Sequence, residues 1–538
     1  MRIWVLAVVL VSAAAAVPAA GPQTLVYSWS GNVGPLNPHL YSPNQMFAQA
    51  MVYEPLVRYT AEGGIAPWLA AAWEISADRR IYTFHLRHEV SFSDGTPFTA
   101  QAAKKNFDTV IANGRSHSWL ALVAVIAEVR VIDDHTLQLI LKQPYYPVLE
   151  DLALVRPFRF LSPAAFPPGG QTADGIRAPI GTGPWRLAES RLGEYDLFLR
   201  NERYWGFRPK IERIRVKVIS DPNTCAVAFQ AGEIDLIYGD DQISPFTYML
   251  FRGDRRYSSG TSPPLATRAL ALNSAHGPTR EIAVRRAIQH AVDKEALVKG
   301  VLLDTETRAD TLLSPTRPYC NLGLTPRGHD PALAERLLDD AGWRRTDDER
   351  FRSKAGRPLS LDLCFIGKSA LQKSIAEVVQ ADLQQVGIRV LLKGVEEDMF
   401  GKYQKEGAFH MIFNDTWGPP YEPHAYCSSM RVPSHADYQA QAGLPMKADI
   451  DAWIARVLVS TDENERRRLY REILSTLHDQ AVYLPISYTT GLMVHGPDLA
   501  GVAYGPTRYE IAFEAMVKKQ AATGLSPATE GHHAQLHP

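Results

Sequence analysis

The residues between 374 and 392 constrain the fold most, because they place a helix, a glycine and an apolar strand in direct succession. Four apolar side chains of this stretch recur at the spacing of one helix face: Ile375, Val378, Val379 and Leu383. Gly387 ends the helical pattern, and an apolar strand follows over 388–392. A second helix over 462–479 precedes a strand around 482–486. Helices that alternate with apolar strands are typical of α/β proteins, so the second half of the chain is predicted to be α/β.

The first half of the chain is richer in strands. An alternating segment spans 82–87, and two more, over 129–132 and 136–141, are separated by two aspartates, which predicts a hairpin. A helix is predicted over 100–111, with Thr99 as its N-cap.

Two further helices are predicted in the second half, over 279–299 and 331–341. Asp330 is placed as the N-cap of the later helix and Gly342 closes it. The chain has 538 residues, more than one hydrophobic core usually organises, so two or three folding units are expected.

The first 19 residues have the composition of an export signal. Arg2 precedes an apolar run over 3–17, which predicts a signal peptide cleaved after Ala19, with Ala20 as the alternative. A run of about 15 residues spans about 22 Å as a helix, less than the roughly 30 Å of a bilayer core, which disfavours a membrane anchor. No cysteine follows the cleavage site, so a lipid anchor is not expected. The mature chain is predicted to be soluble in the periplasm, with a disordered tail over 521–538.

Charge and motif patterns exclude several classes of function. The formal net charge is −1, whereas nucleic-acid binding needs a basic surface. The sequence has no HExxH, GxxxxGK[ST] or GxSxG motif, so no enzyme is expected. No two of the four cysteines form a CxxC pair, which argues against a zinc cluster. Disulfides and isolated thiols both remain open for Cys225, Cys320, Cys364 and Cys427.

Five stretches, which follow in order along most of the mature chain, resemble the family-5 extracellular solute-binding proteins, the nickel, dipeptide and oligopeptide group. They are 73–108, 179–185, 200–205, 232–236 and 330–343. The resemblance implies an α/β, two-lobed periplasmic-binding-protein fold (type II, cluster C-like) with two hinge strands and an extra subdomain in the first lobe. It also implies the exported solute-binding component of an ABC importer. The expected partners are the importer's permease and ATPase subunits and a small chelator, for a monomeric protein.

The resemblance also divides the chain. The expected segments are the signal peptide (1–19), lobe I (20–266, with the extra subdomain at about 60–190), lobe II (267–487), a return segment of lobe I (488–520) and the tail (521–538). The two hinge crossings are expected near Thr267 and Ser487.

Other segments resemble most the nickel-binding members of the family. They are 31–41, 44–49, 156–160, 417–421 and 430–435. The implied ligand is nickel held by an organic chelator or by histidine. A carrier of chelated metal needs few bonds from the protein, because the chelator fills most of the coordination sphere.

The nickel-binding pattern implies a metal ligand, a carboxylate clamp and an apolar wall. His435 matches the metal ligand, and a neutral imidazole suits nickel. Arg156 matches the clamp for a chelator carboxylate, which a planar guanidinium can hold through two hydrogen bonds. Arg159 lies three residues further on and is easily confused with it. The implied wall residues are Trp29, Tyr41, Met46, Trp119, Trp417 and Tyr421.

Two positions depart from the nickel-binding pattern. A second arginine of the pattern is Ser116 here, and a small hydroxyl residue is Tyr509. Both changes alter the side of the site that faces the chelator, so a different chelator or a ligand other than nickel remains open. A dipeptide- or oligopeptide-binding protein is the alternative. Such a protein would pair an acidic residue with the amino terminus of the peptide, and the sequence offers no convincing candidate for that residue.

Overall fold

The computed structural model describes residues 23–40, 45–239, 242–345 and 350–519. The predicted signal peptide and tail lie outside the described residues, as does the wall candidate Tyr41.

The described residues form strands and helices in the following chain order. The strands are β1 Thr24–Trp29, β2 Val57–Tyr59, β3 Ile65–Pro67, β4 Ala70–Ile75, β5 Ile81–Leu86, β6 Ile126–Asp133, β7 Thr136–Leu141, β8 Trp185–Arg191, β9 Tyr195–Arg200, β10 Arg213–Val218, β11 Leu236–Gly239, β12 Ser258–Thr261, β13 Ala266–Leu272, β14 Thr307–Arg308, β15 Ser353–Lys354, β16 Arg357–Pro358, β17 Ser360–Ile366, β18 Arg389–Val395, β19 Met411–Phe413, β20 Tyr483–Thr489, β21 Leu492–His495, β22 Leu499–Ala500 and β23 Val517–Lys518. The helices are α1 Met46–Val52, α2 Ala100–Ala112, α3 Ala121–Val125, α4 Val148–Leu152, α5 Pro222–Gln230, α6 Pro245–Arg252, α7 Ile282–Ala291, α8 Lys294–Gly300, α9 Pro331–Asp340, α10 Ala370–Gln385, α11 Glu397–Glu406, α12 His424–Ser429, α13 Ala436–Gln441, α14 Lys447–Val459 and α15 Glu463–Asp479.

A six-stranded sheet with the order β14-β20-β13-β19-β17-β18 organises the second half of the chain. Its strands β17 and β18 run parallel, and α10 connects them. Parallel neighbours require a crossover of this kind, and a helix that buries one apolar face supplies it. Ile375, Val379 and Leu383 of α10 are fully buried, so the predicted helix–glycine–strand unit is confirmed.

The predicted helix over 279–299 is wrong in its extent, because two helices occupy that stretch. Helix α7 ends at Ala291, and Val292 adopts an extended conformation. The side chain of Asp293 then accepts a hydrogen bond of 3.0 Å from the backbone nitrogen of Ala296 and caps α8. An aspartate that satisfies the first free amides of a new helix favours this break over continuation.

A four-stranded antiparallel sheet with the order β4-β5-β7-β6 organises residues 70–141. The predicted hairpin is confirmed, since β6 and β7 are antiparallel neighbours. The predicted helix before it is also confirmed as α2, and the Thr99 side chain accepts a hydrogen bond from the backbone nitrogen of Ala102.

Two large hydrophobic cores connect these sheets with other parts of the described chain. One is built from residues within 25–53, 161–238 and 499–516. The other joins residues within 56–160 to residues within 269–486 without interruption. Residues 56–160, most of which were expected to form a subdomain of the first lobe, therefore share one hydrophobic core with the unit built on the six-stranded sheet.

All four cysteines are buried free thiols. Burial raises the pKa of the Cys364 thiol to about 12, so this thiol stays protonated at neutral pH. Of the two alternatives left open by the sequence, the structure therefore has isolated thiols. None of the helices in the described ranges combines the length and the apolar character needed to cross a membrane.

Candidate functional site

The loop between β19 and α12 presents two of the predicted wall residues, Trp417 and Tyr421. This segment, residues 414–423, is called the wall loop below. Gly418 has a φ of +72°, and a Cβ at this position would lie 2.4 Å from the carbonyl oxygen of Leu265, so only glycine fits. The backbone nitrogen of Gly418 donates to Glu422 Oε1 at 2.7 Å, and the nitrogen of Tyr421 donates to the Gly418 carbonyl at 3.0 Å. The loop is therefore shaped by its own hydrogen bonds.

The wall loop brings four predicted site residues into one aromatic cluster. The Trp417 ring lies 5.8 Å from Trp119, 6.0 Å from Tyr421 and 5.9 Å from the imidazole of His435, measured between centroids. Trp119 also contacts Tyr421 at 6.1 Å. Trp119 follows α2, whereas the other three residues follow β19, so two parts of the chain that are far apart in sequence meet here.

Met46 joins the cluster from the first turn of α1, because the Tyr421 hydroxyl donates to its sulfur at 3.8 Å. Trp29, at the end of β1, packs on Phe47 of α1 with 4.7 Å between ring centroids. Tyr509 completes this side. Its ring lies 5.7 Å from that of Tyr421, and its hydroxyl donates to the Trp417 carbonyl at 3.4 Å.

His435 stands at the N-cap position of α13, and its side chain is half-buried. Neither ring nitrogen has a hydrogen-bond partner among the described residues. Burial lowers the pKa of the imidazole, and the charge of Asp437 opposes that shift only in part. The ring is therefore neutral at pH 7, and one nitrogen carries a lone pair that can bind a metal.

The structure separates the two neighbouring arginines. Arg159 donates to three backbone carbonyls, of Tyr53, Ala153 and Leu154, and forms an ion pair of 3.1 Å with Glu510. This guanidinium is committed to holding the scaffold together.

Arg156 has a different environment. It is buried, and its charge contributes to lowering the pKa of His117, which burial lowers most. The charge of Arg156 is therefore felt at His117, two residues before Trp119 of the aromatic cluster.

His117 is a site neighbour that the sequence reasoning missed. Its Nε2 donates to the carbonyl of His39 at 2.9 Å, which leaves the lone pair on Nδ1. This Nδ1 is buried and has no hydrogen-bond partner within the described part of the chain. Only the distance of two residues from Trp119 could have drawn attention to it. The departure at Ser116 lies beside it on an exposed turn.

Two open cavities lie away from the aromatic cluster. One, of about 420 Å³, is a surface groove along α2 lined by polar side chains such as Lys104 and Asp108. The other, of about 220 Å³, lies behind the wall loop and is lined by Tyr146, Glu150 and His424 among others. The cluster remains the better candidate site, because it combines a neutral imidazole with aromatic walls.

Segments of this α/β chain that are far apart in sequence meet around the cluster, an arrangement that is typical of a protein that binds a solute between them. The chain belongs to the bacterial extracellular solute-binding proteins of family 5, which match residues 64–438. It is 51% identical to the nickel-binding periplasmic protein of Escherichia coli (strain K12), over 93% of this chain and 95% of that protein. It is 25% identical to the dipeptide-binding protein of the same strain, over 90% of this chain and 92% of that protein.

Two solved structures of solute-binding proteins are also similar to this chain. NikA from Brucella suis in complex with Fe(III)-EDTA superposes with a TM-score of 0.90 at 56% identity, covering 92% of this chain and 100% of that chain. NikZ from Campylobacter jejuni in complex with Ni(L-His) has the same fold, with a TM-score of 0.78 at 22% identity over 92% and 99% of the two chains. These comparisons confirm the predicted family and the predicted two-lobed α/β fold. The relatives are binding proteins rather than enzymes, as predicted.

Proposed function

We propose that this chain is the extracytoplasmic solute-binding component of an ABC importer, which binds nickel as a small chelate complex and delivers it to the membrane permease. The observation that carries the proposal is the neutral His435 imidazole, without a hydrogen bond to any described residue, against the Trp417 ring. The 51% identity to a nickel-binding periplasmic protein supports the choice of metal.

The donor set favours a chelated metal over a bare ion. Among the described residues, no group of three or more histidine, cysteine, aspartate or glutamate side chains is arranged to hold a metal ion. A single imidazole suits a nickel ion whose other positions are filled by histidine or another organic chelator. The related protein from Brucella suis is likewise in complex with a metal chelate.

Arg156 is proposed to bind a carboxylate of the chelator. A guanidinium holds a carboxylate through two parallel hydrogen bonds, and burial strengthens the attraction. The proposed wall consists of Trp29, Tyr41, Met46, Trp119, Trp417 and Tyr421. The Tyr509 ring packs against Tyr421 of this wall. The space left for the chelator is therefore smaller than it would be with a serine or threonine at position 509.

Closure of the two lobes is the proposed mechanism of capture. The proposed crossings, near Thr267 and Ser487, lie on β13 and β20, which pair side by side. Strand β12 precedes β13 along the chain and strand β21 follows β20, and β12 and β21 pair with each other in a different sheet. The β12–β13 and β20–β21 connections therefore pass between the same two sheets. A ligand that touches both lobes shifts such a hinge toward its closed form.

The proposed compartment is the periplasm, reached through the signal peptide at 1–19 without a lipid anchor. The proposed partners are the permease and ATPase subunits of the importer and the chelator, and the proposed state is a monomer. A relative at 26% identity, from Sinorhizobium meliloti, is an ABC transporter substrate-binding protein.

Calorimetry on the purified mature protein distinguishes the two ligand classes. We expect saturable binding of Ni²⁺ with L-histidine and no heat from a panel of dipeptides. The reason is that a peptide amino terminus needs an accessible carboxylate, whereas Glu422, beside the wall, is buried and accepts a hydrogen bond from Gly418. Binding of a dipeptide without binding of nickel–histidine would establish the peptide alternative.

The acid sensitivity of metal binding follows from His435. The ordinary pKa of the side chain is 6.5, and burial lowers it here. The neutral, metal-binding form therefore persists below pH 6.5, and protons compete with nickel only under more acidic conditions. In ¹³C-histidine-labelled, ligand-free protein, the NMR signal missing from His435→Ala is expected to titrate with a midpoint below 6.5. A midpoint at or above 6.5 would contradict the described burial.

A further inference from the structure

A buried hydrogen bond joins the two parts of the chain that form the proposed site. Nε2 of His424, the first residue of α12, donates to Oδ1 of Asp151 in α4 at 2.8 Å. The exposed fractions of the two side chains are 3% and 0%. The Tyr145 hydroxyl donates to the other carboxylate oxygen at 2.6 Å, so both oxygens of Asp151 are used.

His424 belongs to the same hydrogen-bonded unit as the wall loop. It directly follows that loop, and the backbone nitrogen of Tyr426 donates to the Tyr421 carbonyl at 3.0 Å. The next amide, of Cys427, donates to the Pro423 carbonyl at 2.9 Å. The helix that begins at His424 is therefore tied to the backbone of Tyr421.

Asp151 has the corresponding place on the part of the chain that carries Arg156. It lies in α4, and the chain runs from there through Ala153 and Leu154, whose carbonyls accept from Arg159, to the proposed clamp Arg156. This hydrogen bond thus connects the segment that carries Arg156 to the segment that carries Tyr421.

Further contacts follow the same seam. The Tyr146 nitrogen donates to the Leu458 carbonyl at 3.0 Å, and the hydroxyls of Tyr146 and Tyr470 are 2.6 Å apart. The Arg466 guanidinium lies 4.9 Å above the Tyr146 ring. These contacts connect the two sides of the seam, beside the cavity of about 220 Å³ that Tyr146, His424 and Arg466 line. The buried pair of His424 and Asp151 adds little stability, because both groups lose their hydration. What the pair contributes is a fixed geometry, because His424 and Tyr145 both donate to the Asp151 carboxylate.

We propose that Asp151 and His424 are positioning residues for ligand binding, which set the separation between the Arg156 side and the Trp417–Tyr421 side of the site. The inference rests on the proposed function, since it concerns the same site. Neither residue contacts the ligand; they act through the wall loop and through α4.

The test compares His424→Ala with His424→Gln, whose amide can still donate to Asp151, in the full mature protein. Binding of Ni²⁺ with L-histidine is measured by calorimetry, and release by stopped-flow tryptophan fluorescence. His424→Ala is expected to raise the dissociation rate and Kd about tenfold with little change in the association rate, and His424→Gln to restore most of the affinity. Asp151→Asn, which keeps the shape and removes the charge, provides a second variant and is expected to raise the dissociation rate several-fold.

His410→Ala is the matched control, because His410 lies 3.6 Å from Asp362 in another histidine–aspartate pair, before β19 and outside the wall loop. It is expected to leave Kd unchanged. The inference is overturned if His424→Ala and Asp151→Asn bind and release nickel–histidine within twofold of wild type, or if His410→Ala weakens binding equally. Wild-type protein that binds only a dipeptide overturns the proposed function instead, and the same variants then decide the positioning role with that dipeptide.

Discussion

Replacement of His435 by alanine is expected to weaken the binding of nickel–histidine about 100-fold, or by about 3 kcal/mol. The variant loses the imidazole proposed to bind the metal, and among the described residues no group of three or more metal-binding side chains is arranged to replace it. The free energy of unfolding of the ligand-free protein should change by less than about 1 kcal/mol, because the side chain makes no hydrogen bond to a described residue. Calorimetry of binding and thermal unfolding without ligand measure the two effects separately.

The matched control for this prediction is His276→Ala, which removes an exposed imidazole from a position that follows β13. It should bind nickel–histidine with the affinity of wild type. If His435→Ala retains wild-type affinity within threefold, His435 is not the metal ligand, whatever the ligand class of the protein.

Local patterns in the sequence were sufficient for much of the fold. The 3.6-residue period of Ile375, Val379 and Leu383 predicts α10 because one face of that helix is buried against a sheet. The same reasoning extended the helix at 279–299 too far, since apolar periodicity continues across Asp293 although its side chain begins a new helix. The capping hydrogen bond of Asp293 favours the start of a new helix, and a hydrophobic pattern contains no information about it.

The site was less accessible to sequence reasoning. His435, Trp417 and Tyr421 were found through resemblance to a family, and no spacing rule predicts that Trp119 packs against them. The pairing of Asp151 with His424 joins residues 273 positions apart and leaves no periodic signal. The same holds for the core that links residues within 56–160 to the six-stranded sheet, because it depends on how separate units pack.

Arg156 is expected to be the second residue with a large effect on binding. Arg156→Ala should weaken nickel–histidine binding by about 1.5–3 kcal/mol, the range for a lost hydrogen bond to a charged group, or roughly 10- to 150-fold. Arg156→Lys should recover only part of this loss, because an ammonium keeps the charge but cannot form the two parallel hydrogen bonds of a guanidinium. Calorimetry with nickel–histidine measures all three proteins.

Two further measurements distinguish a role in binding from a role in the scaffold. The charge of Arg156 contributes to the low pKa of His117, so Arg156→Ala should raise that pKa, whereas Arg156→Lys, which keeps the charge, should leave it nearly unchanged. Arg159→Lys is the matched contrast, because Arg159 holds three carbonyls and Glu510. It should lower the free energy of unfolding by about 2 kcal/mol and change the affinity little. If the two arginines exchange these effects, the guanidinium that binds the chelator is Arg159, and the geometry proposed for the site is wrong.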